Sequence, residues 1–123
     1  MKTNFLLTLA FAFINCTLHG QINLEPVGSM AYLAKSDQSS AKALVVDMGS
    51  ELIVVDALYG DLAKNFKIAI ENLDKPVRYV INTHYHGDHT QGNILFRDIL
   101  KIAHQNTIKN ILDSAQYGPE VPP

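Results

Sequence analysis

A layered α/β fold is predicted by three features of this 123-residue chain. Strand-like and helix-like patterns alternate after residue 52, as they do where helices pack on a sheet. One strand pattern runs straight into a glycine-punctuated loop crowded with histidine, and open α/β sheets favour ligand sites at the carboxyl ends of their strands. Hydrophobic residues make up 47% and charged residues 18%, which supplies a core and argues against disorder. The length allows one small domain. A formal charge of −2 gives no electrostatic footprint for nucleic acid or an anionic membrane.

Residues 1–20 read as a leader outside the fold. Lys2 precedes the ten-residue apolar run FLLTLAFAFI at 5–14. That run is short of the roughly 20 residues a spanning helix needs and fits the core of a signal peptide. The polar stretch NCTLHGQ follows, and cleavage is expected near Gly20–Gln21. The product would be exported, periplasmic or secreted, with no stable membrane span. Lipid attachment at Cys16 is the rival reading, and Asn15 is a poor small residue to precede it. A buried N-terminal helix is a third, opposed by Lys2 and the sharp change in polarity. Cys16 is the only cysteine, so the mature chain would carry no thiol. Any metal must then be held by imidazole and carboxylate.

The globular unit is expected over 22–117. Residues 22–34, INLEPVGSMAYLA, read as an opening strand broken by Pro26 and Gly28. SDQSS at 36–40 is a turn cluster. Apolar runs at 41–46 and 52–55 flank Asp47-Met48-Gly49-Ser50, a hairpin with Gly49 in its turn. The second run ends in Asp56. A helix over 61–73 puts Leu62, Phe66, Ala69, Ile70 and Leu73 on one face, and Lys64, Lys67 and Glu71 on the other. Asp61 suits the exposed amides at its start, and Pro76 lies past its end. Strands follow at 77–81 and 99–103. A second helix over 106–116 carries Ile108, Ile111, Leu112 and Ala115 on one side. Tyr117-Gly118-Pro119 stops it, leaving 118–123 as a frayed tail.

Residues 80–93 read VINTHYHGDHTQGN, with three of the five histidines inside six positions. Extended backbone repeats its side-chain direction every second residue, so His84 and His86 can share one ion. Asp88 follows in the same phase, while His89 is adjacent to it and would point elsewhere. That division points to two neighbouring metals. Gly87 relieves the backbone where the loop bends. Two imidazoles per ion suit zinc, or iron or manganese if oxygen ligands join. From this chain's own composition, His-x-His-x-Asp-His arises by chance on the order of once in a thousand such chains. The bland alternative is a polar surface loop without metal.

This stretch resembles the metallo-β-lactamase superfamily. The resemblance extends over about 22–112 and includes Asp56 at a strand end, Lys75-Pro76-Val77-Arg78, Thr83 to His89, Gly92-Asn93, and Ala103-His104-Gln105-Asn106-Thr107. It implies the first half of an αββα sandwich, with a site for two Zn2+ ions at the edge between halves; iron or manganese is the alternative. By resemblance His84 and His86 bind the first ion, and Asp88 and His89 the second. Asp88 also holds the attacking hydroxide that two metals make available near neutral pH. Asp56 is expected behind the ligands, bracing them, or simply capping a strand end. The family draws further His and Asp ligands from well downstream, whereas here only His104, Asp98, Asp113 and Glu120 follow His89. His104 comes too soon and is expected to be structural. The chain therefore looks like an N-terminal half: a truncated product, a fragmentary gene, or half of a site completed by another chain.

Three functions remain in competition. The leading one is a metal-dependent hydrolase of small molecules bearing a lactam, lactone, thioester or similar bond. The second is an inactive zinc-binding half-domain, and the third a mononuclear iron relative that oxidises persulfides. The ligand count implies that this chain alone is a weak or inactive hydrolase. An uncovered apolar sheet face is also expected, with self-association or a missing second half as its consequence. Tyr85, between the ligands, is expected to point away and pack. Tyr32 and Tyr59 read as packing residues, and His19 lies in the leader.

Overall fold

The computed structural model of the chain describes residues 20–113. The expected leader with Cys16 and His19, the end of the second helix and the tail lie outside the described residues. Gly20 is buried on the first helix, its carbonyl accepting a hydrogen bond from Asn65 Nδ2 at 2.9 Å.

Six strands form one sheet in chain order. These are β1 (Asn23–Val27), β2 (Ala31–Ser36), β3 (Ser39–Asp47), β4 (Leu52–Val55), β5 (Val77–Asn82) and β6 (Leu100–Ala103). The first four pair antiparallel; β4–β5 and β5–β6 are parallel. Helix α1 (Gly60–Glu71) makes the first parallel crossover. The second is made by the short helix α2 (Gly87–Thr90) and a 3₁₀ turn over Gln91–Phe96. Helix α3 (Gln105–Asp113) follows β6. The expected α/β fold is thus present, with an antiparallel half that alternation after residue 52 did not reveal.

Two local expectations are corrected. The opening stretch is two strands, because Gly28 at φ 67° lets the chain reverse where one broken strand was expected. The turn cluster at 36–40 is tighter than expected. Asp37 and Gln38 turn the chain, Ser36 Oγ accepts the Gln38 amide at 3.2 Å, and Ser39 and Ser40 already belong to β3. The hairpin at 47–50 forms as expected, with Gly49 at φ 96° and its amide donating to Asp47 Oδ1 at 2.8 Å.

The two sheet faces differ. Leu62, Phe66 and Ile70 of α1 are buried in one cluster with Val45, Val54 and Val80. Each fully buried large apolar side chain there contributes about 1.5–3 kcal/mol. The opposite face carries two cross-strand rows. One runs Ala31–Val46–Ile53–Tyr79–Leu100, the other Leu33–Leu44–Val55–Ile81–Ile102. All ten are apolar or aromatic, and none is buried by the described residues.

Asp47 is held across the turn by Lys75, whose Nζ lies 2.8 and 2.7 Å from its two carboxylate oxygens. The Lys75 hydrogen bond, and then the Gly49 amide, pull the Asp47 carboxyl below the ordinary carboxylate range. A carboxyl depressed in the folded state stabilises above its unfolded pKa, and that contribution is lost as pH falls through the folded value. The urea midpoint of Lys75→Met should therefore fall below wild type at pH 6. The gap should close as Asp47 protonates below about pH 4; a gap independent of pH would remove the ion pair as its cause.

Candidate metal centre

The histidine loop leaves β5 at its carboxyl end, beside the carboxyl end of β4. The parallel ladder continues one step past β4, with the Asp56 amide donating to Ile81 O at 2.8 Å. Asp56 and Leu58 then take left-handed conformations, φ 62° and 60°. Such geometry costs non-glycine residues roughly 1–3 kcal/mol each and persists only where surroundings impose it. Two backbone bonds do so here: Ala57 N donates to His89 O at 2.7 Å, and Gly92 N to Leu58 O at 2.9 Å. The 56–60 turn and the 89–92 segment are thereby clamped together. Gly92 permits the contact, since a Cβ there would lie 1.9 Å from Ala57 O.

Within that frame Asp56 is the anchor. It is only 4% exposed, and its oxygens meet three donors. Oδ1 accepts the Thr83 amide at 2.9 Å; Oδ2 accepts the Thr83 hydroxyl at 2.7 Å and lies 2.9 Å from His89 Nδ1. Thr83 Oγ1 lies in turn 2.9 Å from His84 Nδ1. A carboxylate only accepts, so His89 Nδ1 must carry its proton. The Thr83 hydroxyl spends its one proton on Asp56, so His84 Nδ1 must donate to Thr83 Oγ1. In the neutral form each imidazole therefore carries its one proton on Nδ1 and leaves Nε2 as the lone pair a metal needs.

The rings gather. His84 lies 4.2 Å from His89 and 4.8 Å from His86 between centroids, and His89 Nε2 is 3.4 Å from Asp88 Oδ2. Ligand atoms of Asp56, His84 and His89 all fall within 4.8 Å of one another, close enough to hold a metal ion. His86 and Asp88 lie outside that group, and imidazole with carboxylate is a donor chemistry that zinc takes. With both Asp56 oxygens already engaged behind the rings, bracing is the role its contacts describe.

The backbone differs from the extended run assumed from spacing. Residues 87–90 turn as helix α2, with His86 as its N-cap. His89 therefore returns to His84, where period-two spacing pointed it elsewhere. The His84 and His86 rings lie edge to face, 4.8 Å apart between centroids. Asp88 stays largely open, its side chain 48% exposed. Tyr85 lies 4.8 Å from the His86 ring, edge to face. His104 accepts the Asn106 amide on Nδ1 at 3.2 Å and serves the start of α3. Thr83 is the functional residue that spacing missed; nothing in the sequence marks one threonine of NTH as the link between Asp56 and His84. Asn82 and Asn93 exchange two amide hydrogen bonds, at 2.8 and 3.2 Å, and tie the loop back to β5.

A mixed sheet whose parallel edge carries a buried carboxylate behind clustered imidazoles defines an α/β protein with a candidate metal centre. The profile of the metallo-beta-lactamase superfamily matches residues 36–107, more than half of the chain, and the protein belongs to that superfamily. Solved structures agree on the fold. The metallo-beta-lactamase FIM-1 from Pseudomonas aeruginosa, in its mono-zinc form, superposes with TM-score 0.63 at 19% identity, covering 75% of this chain and 46% of that one. The metallo-beta-lactamase from Pontibacter korlensis gives 0.63 at 18%, covering 76% and 48%. VMB-1 gives 0.67 at 22%, covering 76% and 47%. The chain thus spans less than half the length of these solved relatives. No curated protein matches it significantly.

Proposed function

We propose that the chain binds zinc through His84, His86, Asp88 and His89 and contributes the first half of a metal-dependent hydrolase centre. The observation that carries the reading is the chain of hydrogen bonds from Asp56 through Thr83 to His84 and directly to His89, which frees both Nε2 atoms. Iron or manganese is the alternative occupant of the same donors. When bound, the metal supplies Lewis acidity and a water activated near neutral pH. Asp88, open to solvent with Oδ2 3.4 Å from His89 Nε2, would hold the metal beside His89 and serve as the acceptor for a proton at Oδ2. Asp56 keeps the imidazoles fixed while charge develops in front of them. The substrate class is a small molecule with a lactam, lactone or thioester carbonyl.

Four ligands are few for a dinuclear catalytic centre, where each zinc normally takes three protein ligands and water. The chain alone is therefore expected to bind zinc and to turn over substrate at well under about 1 per second. X-ray absorption of the zinc-loaded chain should show nitrogen and oxygen neighbours at about 2.0–2.2 Å and no sulfur. A lactam, a lactone and a thioester should each give little hydrolysis. Absence of zinc uptake would defeat the metal reading. Ordinary enzymatic turnover abolished by Asp88→Ala would show that the chain completes its own centre. Export is a separate part of the proposal: mass spectrometry of the mature chain should place its first residue near 20–22, and an intact Met1 or a lipid on Cys16 would contradict it.

A further inference from the structure

Two of the three loop imidazoles are fixed through their rings. His84 Nδ1 meets Thr83 Oγ1 and His89 Nδ1 meets Asp56 Oδ2, each at 2.9 Å. Among the described residues no hydrogen bond fixes the ring of His86. That residue is exposed, its side chain makes no cap bond at the start of α2, and its ring meets those of His84 and Tyr85 edge to face, each at 4.8 Å between centroids. We propose that Thr90 is the positioning residue for His86 and acts on it through the backbone. The Thr90 hydroxyl shares its one proton between two carbonyls, His86 O at 3.0 Å and Tyr85 O at 3.3 Å. Those carbonyls belong to the two planar peptide units on either side of the His86 Cα. One hydroxyl thus ties both planes together, and the rotations between them are φ and ψ of His86, held at −61° and 143°. These two angles set the direction of its Cα–Cβ bond, and so the point to which the imidazole is delivered.

The clamp also refers His86 to its neighbour. His86 O accepts the His89 amide at 3.0 Å besides the Thr90 hydroxyl, which fills both of its lone pairs. His89 is in turn held through its ring by Asp56. Thr90 is only 1% exposed, so water does not replace the hydroxyl once it is removed. Its enclosure comes from this chain's own residues, since α2 packs against β3 and the 3₁₀ turn. Inside a long helix, a threonine hydroxyl bonded to the carbonyl four residues back acts locally and often bends the helix. Helix α2 has four residues and Thr90 is its last, so here the same bond reaches past the helix to its N-cap, His86, and to the residue before it. The constraint therefore falls on a proposed ligand. The role in metal binding rests on the zinc reading; the clamp on the His86 backbone does not.

Zinc titration and histidine NMR of the purified chain test the role. Thr90→Val removes the hydroxyl and keeps the shape; it should keep its far-UV circular dichroism and bind zinc about tenfold more weakly, the lower end of what the outer partners of a ligand contribute. Thr90→Ser should stay close to wild-type affinity and Thr90→Ala should not, so that pair reads the hydroxyl even if valine is not accommodated. The deciding measurement is the double variant. Acting through His86, Thr90→Val should cost no further affinity once His86 is replaced by alanine. An equal loss in both backgrounds would mean a general loosening of the loop and would overturn the proposal, as would wild-type affinity in a folded Thr90→Val. In the metal-free chain, Thr90→Val should move the ring signals of His86 and leave His84 and His89 protonated on Nδ1. Unmoved His86 signals would overturn the positioning whatever zinc does. A wild type that takes up no zinc, with the His86 signals moved as expected, would overturn the metal reading and leave the clamp standing.

Discussion

Gly92→Ala is expected to prevent folding, or to lower stability by more than about 4 kcal/mol. The added Cβ would sit 1.9 Å from Ala57 O, 2.8 Å from Ala57 C and 2.9 Å from Ala63 Cβ. Two of those three atoms are backbone, so no rotamer change relieves the clash. Nor can the segments separate cheaply, because Gly92 N and Ala57 N both donate across the junction. Ordinary overpacking costs 1–3 kcal/mol because side chains shift; here the strained 56–60 turn itself must move, and Asp56 with it. Urea unfolding followed by circular dichroism would measure the loss. Gly49→Ala makes the comparison, since a Cβ at Gly49 meets nothing within 4 Å and only its φ of 96° is strained. If Gly92→Ala folds with a loss no larger than Gly49→Ala, the close approach does not organise the site.

His89→Ala should weaken zinc binding by more than about 100-fold, and Asp56→Asn by roughly 10–100-fold, the range typical of residues that orient a ligand. The second value tests the hydrogen-bond argument. Asparagine tolerates the left-handed backbone that Asp56 occupies at φ 62°. Its oxygen can keep the Thr83 amide, but its NH₂ then faces His89 Nδ1, where a carboxylate oxygen stood. A donor there makes Nδ1 the acceptor and moves the His89 proton to Nε2, the atom needed for metal. Turning the amide over places its NH₂ against the Thr83 N–H, two donors face to face. Nitrogen-15 chemical shifts of His89 should therefore report the opposite tautomer in the metal-free variant, alongside the lost affinity. Wild-type affinity in a folded Asp56→Asn would mean that the carboxylate does not set the imidazoles.

Much of this protein was legible from residue order alone. Helix 61–73 stood out because Leu62, Phe66 and Ile70 recur at helical spacing, and they became the buried face of α1. The hairpin at Gly49 was legible because left-handed turns select glycine. The histidine cluster was legible as composition: three imidazoles and a carboxylate in six positions have few uses besides metal. Their relative placement was not. The sequence cannot show whether a four-residue segment runs extended or coils, since GDHT carries no periodicity of its own. Its helical turn follows from docking, with His89 O fixed by Ala57 N and Thr90 buried beneath. Tertiary structure likewise decided what Asp56 and Thr83 do. They lie 27 residues apart and meet because β4 and β5 pair in parallel. The two faces of the sheet were hidden for the same reason. Ile53 and Val54 are neighbouring β-branched apolar residues in the chain, but alternate pleats send Val54 under α1 and leave Ile53 partly exposed on the other side. Local chemistry determined which residues can bind metal and which can form helix; only long-range pairing, which no local pattern encodes, decided which of them meet.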